Sequence, residues 1–229
     1  TIAIRGGGEK KVRITWSHLG PVVSAATPIL GYRGEHPLVL RWSGFENDDP
    51  LTSFQQLLTA QDWGDFLAAL ESSKNPGENF FYADRAGQIG YKLAAAVPRR
   101  NYADAIVPAQ TQPAPPDSLA PVDSLSTGPR SRDWLGYLPF SQLPQLFQPA
   151  SGWIANANNC MVDTTYAHFV SAYWEPDYRY NRIKAALDTL PRWNVATCQA
   201  LQGDLYSGHA ASFVPLLMKA IQYLDLPRN

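Results

Sequence analysis

Seven prolines fall between Pro98 and Pro129. Each lacks a backbone N–H and fixes its own φ, so neither a helix interior nor a central strand can run through that interval. Ala, Ser and Asp fill much of the remainder. Residues 97–132 therefore read as a long irregular loop on the surface, and regular structure has to be built on either side of it.

Before the loop, K-V-R-I-T-W at 11–16 and P-L-V-L-R-W-S at 37–43 alternate as strands do. Two helices follow. The first spans about Leu51–Leu58. The second is capped by Asp62, with Trp63, Phe66, Leu67 and Leu70 as its apolar stripe. Glu78–Asp84 and Gln88–Ala96 read as a hairpin, with Asp84 closing the turn at Ala86-Gly87. Gly90 inside the second strand marks a bulge or a close approach.

After the loop, Trp134–Phe147 reads as a short strand and turn. Pro176 and Asp177 open a helix carrying Arg179 and Ile183, Asn194 caps another through Gln202, and Ser207 opens the last, which Pro227 stops. Strands with helices clustered after them fit a layered α+β domain.

One stretch carries chemistry. Trp153–Asn159, W-I-A-N-A-N-N, alternates as a strand that would put Asn156 and Asn158 on one face. Amides are depleted in strands, and a strand end rich in them can present an N–H₂ donor to a reacting oxygen. The plain alternative is a structural amide tying the strand to a loop.

This stretch, with W-E-P-D-Y-R-Y-N-R-I at Trp174–Ile183, resembles the penicillin acylase family of N-terminal-nucleophile amide hydrolases. H-L-G-P-V-V-S at His18, L-R-W-S-G at Leu40, N-F-F-Y-A-D-R-A-G-Q-I-G-Y at Asn79, W-L-G-Y-L-P-F at Trp134 and Q-G-D-L-Y-S at Gln202 agree in the same order. The resemblance implies a four-layer αββα sandwich. Residues 1–229 would form a partial domain, the C-terminal-side portion of the catalytic core within the large subunit.

It implies a nucleophilic Ser upstream of this chain, exposed by self-cleavage, whose own α-amine is the base. Asn158 would be the oxyanion-hole donor, Arg179 in W-x-x-x-x-R would orient the active site, and Asn156 would support it or touch substrate. The expected substrate is a linear acyl amide such as a β-lactam side chain. An acyl-homoserine lactone is the enzyme alternative, and a non-catalytic scaffold of the same fold is the alternative of another class. Expected partners are that small-molecule substrate and the rest of the precursor, namely the small subunit and the N-terminal part of the large one. The expected location is periplasmic or extracellular.

Composition excludes other classes. There are 19 basic and 20 acidic residues and no basic run, which argues against a nucleic-acid surface. No apolar run reaches membrane length. The four histidines, His18, His36, His168 and His209, stand singly without metal-ligand spacing. By the resemblance no cofactor is required. A structural calcium would draw most of its ligands from upstream, with His168 near a position that some members fill with a carboxylate and Asp163 shifted from it. Cys160 and Cys198 are too few for a metal cage, and their pairing stays open. An N-terminal Thr can act as both nucleophile and base, but Thr1 leads into I-A-I-R-G-G-G, which matches the middle of the family's subunit. Arg182 reads as a surface ion-pair residue.

Overall fold

A computed structural model describes residues 1–24, 37–45, 49–100, 134–171, 173–189 and 192–223. Most of the expected irregular loop, and Pro227, lie outside the described residues. The class is α+β: short antiparallel sheets and five helices.

The packed part is built from neighbouring sequence. Helix α1 (Pro50–Leu57) starts on Asp49, whose carboxylate accepts from the Thr52 N–H at 3.1 Å, with Pro50 in the first turn, where its missing N–H costs nothing. Helix α2 (Trp63–Leu70) starts on Asp62, which accepts from the Asp65 N–H at 2.9 Å. Strands β5 (Glu78–Ala83) and β6 (Ile89–Ala94) form the expected hairpin, pairing Phe81 with Tyr91. Asp84 closes its turn by accepting from the Gln88 N–H at 2.8 Å, and Gly87 takes φ 82°. Those bonds hold the Asp84 carboxyl below its ordinary pKa, the Gln88 N–H being the largest cause.

Strand β9 (Gln145–Phe147) adds to the far side of β6, giving the order β5-β6-β9. Phe66 and Leu70 of α2 pack with Ala94 beneath Trp63, Leu67, Phe80 and Tyr82. Each of those two large side chains contributes about 1.5–3 kcal/mol by burial. Gly90 is a site of close approach: a Cβ there would stand 2.4 Å from the Trp63 ring, which stacks on Phe147 at 4.9 Å.

The start of the expected irregular loop is not irregular: β7 (Pro98–Arg100) pairs with β8 (Trp134–Tyr137), an edge position that tolerates Pro98, and Val97 is buried with Leu138 and Leu143 in a second core. Lys92 joins the two cores. It is fully buried, and its Nζ donates to the carbonyls of Phe140 (2.7 Å) and Leu143 (3.0 Å) and to Gln145 Oε1 (3.1 Å). Burial pushes its pKa down to about 8.

The expected strands at 11–16 and 37–43 are shorter than their alternation promises. Only β3 (Trp16–Ser17) forms, pairing with β4 (Gly20–Pro21), while Val39 makes a single bridge to Val22. Alternation says which side chains share a face, but a ladder needs a neighbour. Among the described residues the neighbour is short: Pro21–Val23 bonds to Thr15 on one side and to Leu38 and Leu40 on the other, no ladder continues beyond it, and Ile14, Trp16 and Trp42 stay more than half exposed. Strands β1 (Ile2–Ala3) and β2 (Glu9–Lys10) make a separate ribbon next to Thr1.

Helices α3 (Tyr178–Thr189), α4 (Val195–Gln202) and α5 (Gly208–Tyr223) follow. Asn194 and Thr197 form a reciprocal capping box, and Ser207 Oγ accepts from the Ala210 N–H. Neither α3 nor α4 has a buried residue, and Leu216, Leu217 and Ile221 of α5 are about half exposed or more. No described helix is long and apolar enough to cross a membrane.

Candidate active site

The segment expected as a strand, Trp153–Asn159, is not one. It leaves a turn in which the Gly152 N–H donates to the Pro149 carbonyl at 2.9 Å, runs through Asn156 without regular structure, and then bends at Ala157–Asn159. The cause is its own amides. Asn156 Oδ1 accepts from the Asn158 N–H at 3.0 Å, and Asn159 Oδ1 accepts from the Ala157 N–H at 3.0 Å. Side chains that bond the local backbone take the groups a ladder would need. Asn158 sits at φ 63°, a left-handed conformation that Asn tolerates better than most residues. Ala157 and Asn159 point inward at 5 % exposure each, while Asn158 is exposed.

The expected shared face of Asn156 and Asn158 also dissolves. The Oδ1 of Asn156 is turned along the chain, and its Nδ2 is buried with no acceptor among the described residues. The indole N–H of Trp174 is in the same condition.

The first turn of α3 completes the arrangement. Asp177 starts the helix, its carbonyl accepting from the Asn181 N–H at 2.7 Å, so the helix opens just after Pro176 rather than at it. Arg179 then projects back to the bend. Its Nη2 donates to the Ala157 carbonyl at 2.7 Å and to Asn158 Oδ1 at 3.0 Å. The Glu175 N–H donates to the Asn158 carbonyl at 2.9 Å, and the Glu175 carboxylate stands 3.9 Å from Arg179.

Three of the four polar atoms of Asn158 are thus held, by Asn156, Glu175 and Arg179. A guanidinium has donors only, so the amide oxygen must face Arg179 and the N–H₂ must face away from it. The cation also polarises the amide and strengthens that N–H₂ as a donor. The result is a neutral, fixed donor on an exposed residue with a permanent positive charge behind it, which suits charge that develops on a neighbouring oxygen.

Other candidates go elsewhere. Arg182 binds Asp204 through Nε (3.0 Å) and Nη2 (2.6 Å), and that hydrogen bond lowers the Asp204 pKa. Asp163 is committed to Thr165 (2.8 and 2.6 Å), which lowers its pKa, and His168 packs edge-on to Tyr166. Among the described residues no three His, Cys, Asp or Glu gather to hold a metal ion. Cys160 and Cys198 are free thiols. His209 packs on Tyr178 and Phe213, His18 is exposed, and His36 lies outside the described residues.

Sequence reasoning missed Lys92, Glu175 and Asn159. Only Lys92 left a signal, as a lone charge in the apolar strand I-G-Y-K-L-A.

Known proteins match this chain along its length. The profile of the penicillin amidase family covers residues 1–228. The penicillin acylase 2 proenzyme of Pseudomonas sp. (strain SE83) is 28% identical over 211 residues, which is 91% of this chain and 24% of that protein. Penicillin G acylase of Escherichia coli is 32% identical over 149 residues, 62% of this chain and 15% of that protein. The chain thus spans about a quarter or less of the length of these relatives. Thermostable penicillin G acylase from Alcaligenes faecalis shares the fold, with a TM-score of 0.67 at 24% identity over all of this chain and 37% of that one. The chain belongs to the penicillin amidase family.

Proposed function

We propose that this chain carries the oxyanion-binding side of an amide hydrolase, an acylase that cleaves a linear acyl amide such as a β-lactam side chain. The observation that carries the reading is the amide of Asn158, held at φ 63° with its oxygen on Arg179 and its N–H₂ turned away. In this reading a Ser Oγ from outside the chain attacks the amide carbonyl and passes its proton to its own α-amine. Asn158 Nδ2 donates to the oxyanion, Arg179 fixes that amide, and the C–N bond breaks as the leaving amine takes the proton. Water then releases the acid from the acyl-enzyme.

The rest of the polypeptide, a small subunit and the N-terminal part of the large one, completes the site. It also completes a four-layer αββα sandwich of which residues 1–229 form one portion. We place the mature protein in the periplasm or outside the cell. The family match and the names of the relatives support this reading.

The test is Asn158→Ala in the complete enzyme with a chromogenic acyl anilide. Loss of one such donor lowers kcat about 100- to 1,000-fold, with KM within a few-fold. Near-normal turnover would remove Asn158 from the mechanism. Absence of any burst of amine release from the unaltered enzyme would favour a non-catalytic scaffold.

A further inference from the structure

We infer that Asn156 is a positioning residue for the oxyanion donor: its side chain sets the turn that aims Asn158, and it does not itself touch substrate. The inference deepens the reading of Asn158 above and rests on it.

Three observations carry it. First, Asn158 holds a left-handed backbone conformation, which Asn tolerates but which still costs more than an extended one and is kept where local bonds favour it. The other non-glycine residue with positive φ among those described, Gln148, is held by the sheet: its N–H donates to the Ile89 carbonyl at 2.9 Å and its Oε1 accepts from the Ile89 N–H at 3.2 Å. Among the described residues no strand pairs with Asn158. Its own N–H is tied instead to Asn156 Oδ1 at 3.0 Å, the bond that an Asx turn uses to bend a chain.

Second, the side chain of Asn156 is spent inside the chain. Oδ1 is engaged by the chain, and Nδ2 is buried without an acceptor among the described residues. Third, the remaining anchors of Asn158 come from the segment around the start of α3, through Glu175 and Arg179. Asn156 is the anchor on the near side of the bend. Without it the near side of the bend keeps the Asn159 bond to the Ala157 N–H, which spans Asn158 without touching it.

The chemistry sets the size of the effect. A donor must meet the oxyanion at hydrogen-bond distance, and a small misplacement weakens it without touching ground-state binding. In the complete, matured enzyme, Asn156→Ala should lower kcat about tenfold or more with KM within about twofold. Asn156→Ser keeps a short oxygen acceptor for the same turn, so it should restore kcat to within about threefold of the unaltered enzyme. In an Asn158→Ala background, Asn156→Ala should cost less than about a further twofold, because nothing remains to be aimed. A role confined to folding would instead lower thermal stability and active-site titre, and would lower kcat equally in both backgrounds.

A rise in KM with kcat intact would make Asn156 a substrate contact and overturn the inference. So would Asn156→Ser as poor as Asn156→Ala, or full additivity with Asn158→Ala. A crippled Asn158→Ala beside a normal Asn156→Ala would remove this inference alone, whereas full turnover in Asn158→Ala would remove the reading beneath it as well.

Discussion

The sheet module of β5, β6 and β9 and the joint between Asn158 and Arg179 each use a side-chain cation to hold backbone carbonyls, in opposite surroundings. Lys92 is sealed between two cores and spends its three N–H groups on three oxygens. Arg179 is exposed, and it holds one carbonyl and one amide oxygen. A buried cation that loses its place leaves desolvated carbonyls behind, whereas an exposed one leaves groups that water can reach. On the function proposed above, stability and chemistry rest on different residues, and substitutions should separate them.

The largest expected effect lies on the buried side. Lys92→Met fills similar volume but strands the carbonyls of Phe140 and Leu143. At about 1–3 kcal/mol for each unsatisfied group, the complete protein should lose roughly 2–6 kcal/mol in urea unfolding. A loss below about 1 kcal/mol would erase the contrast with Arg179. On the exposed side, Arg179→Lys keeps the charge and loses the planar fork. It should lower kcat about tenfold while stability moves by no more than about 0.5 kcal/mol. An unfolding midpoint that falls as far as it does for Lys92→Met would show that the joint is structural after all.

The finest test is pH. The folded pKa of Lys92 lies near 8, below its ordinary 10.5, so between those values the unfolded chain binds the extra proton. Stability should rise with pH across that window, and this group should add no further pH dependence on either side of it. Midpoints measured at pH 7.5 and 9.5, in the unaltered protein and in Lys92→Met, check this. A rise that survives in Lys92→Met would belong to another residue.

What could be read in advance was local. The caps at Asp62, Asn194 and Ser207, the Asp84 turn and the close approach at Gly90 each depend on a few neighbouring residues, and all are present. The stretches at 11–16 and 37–43 depend on partners that alternation does not name, and they form little ladder. The Asn segment was misread as a strand because period-two spacing says nothing about side chains folding back on their own backbone. Asn158 and Arg179 stood out only through resemblance, since nothing in composition links residues 21 apart. Lys92 escaped because its acceptors are mostly main-chain oxygens about 50 positions away, and main-chain atoms carry no letter in a sequence.

The bond from the Glu175 N–H to the Asn158 carbonyl makes the start of α3 a second hinge-plate for the amide. Residues 160–174 set the spacing between the two plates. Lengthening or shortening that stretch would swivel the amide and would also pull on the second core, to which Val170 and the Tyr166 bond to the Gln142 carbonyl pin it. The reach of this tether, as much as the amide itself, would then fix where the proposed donor points.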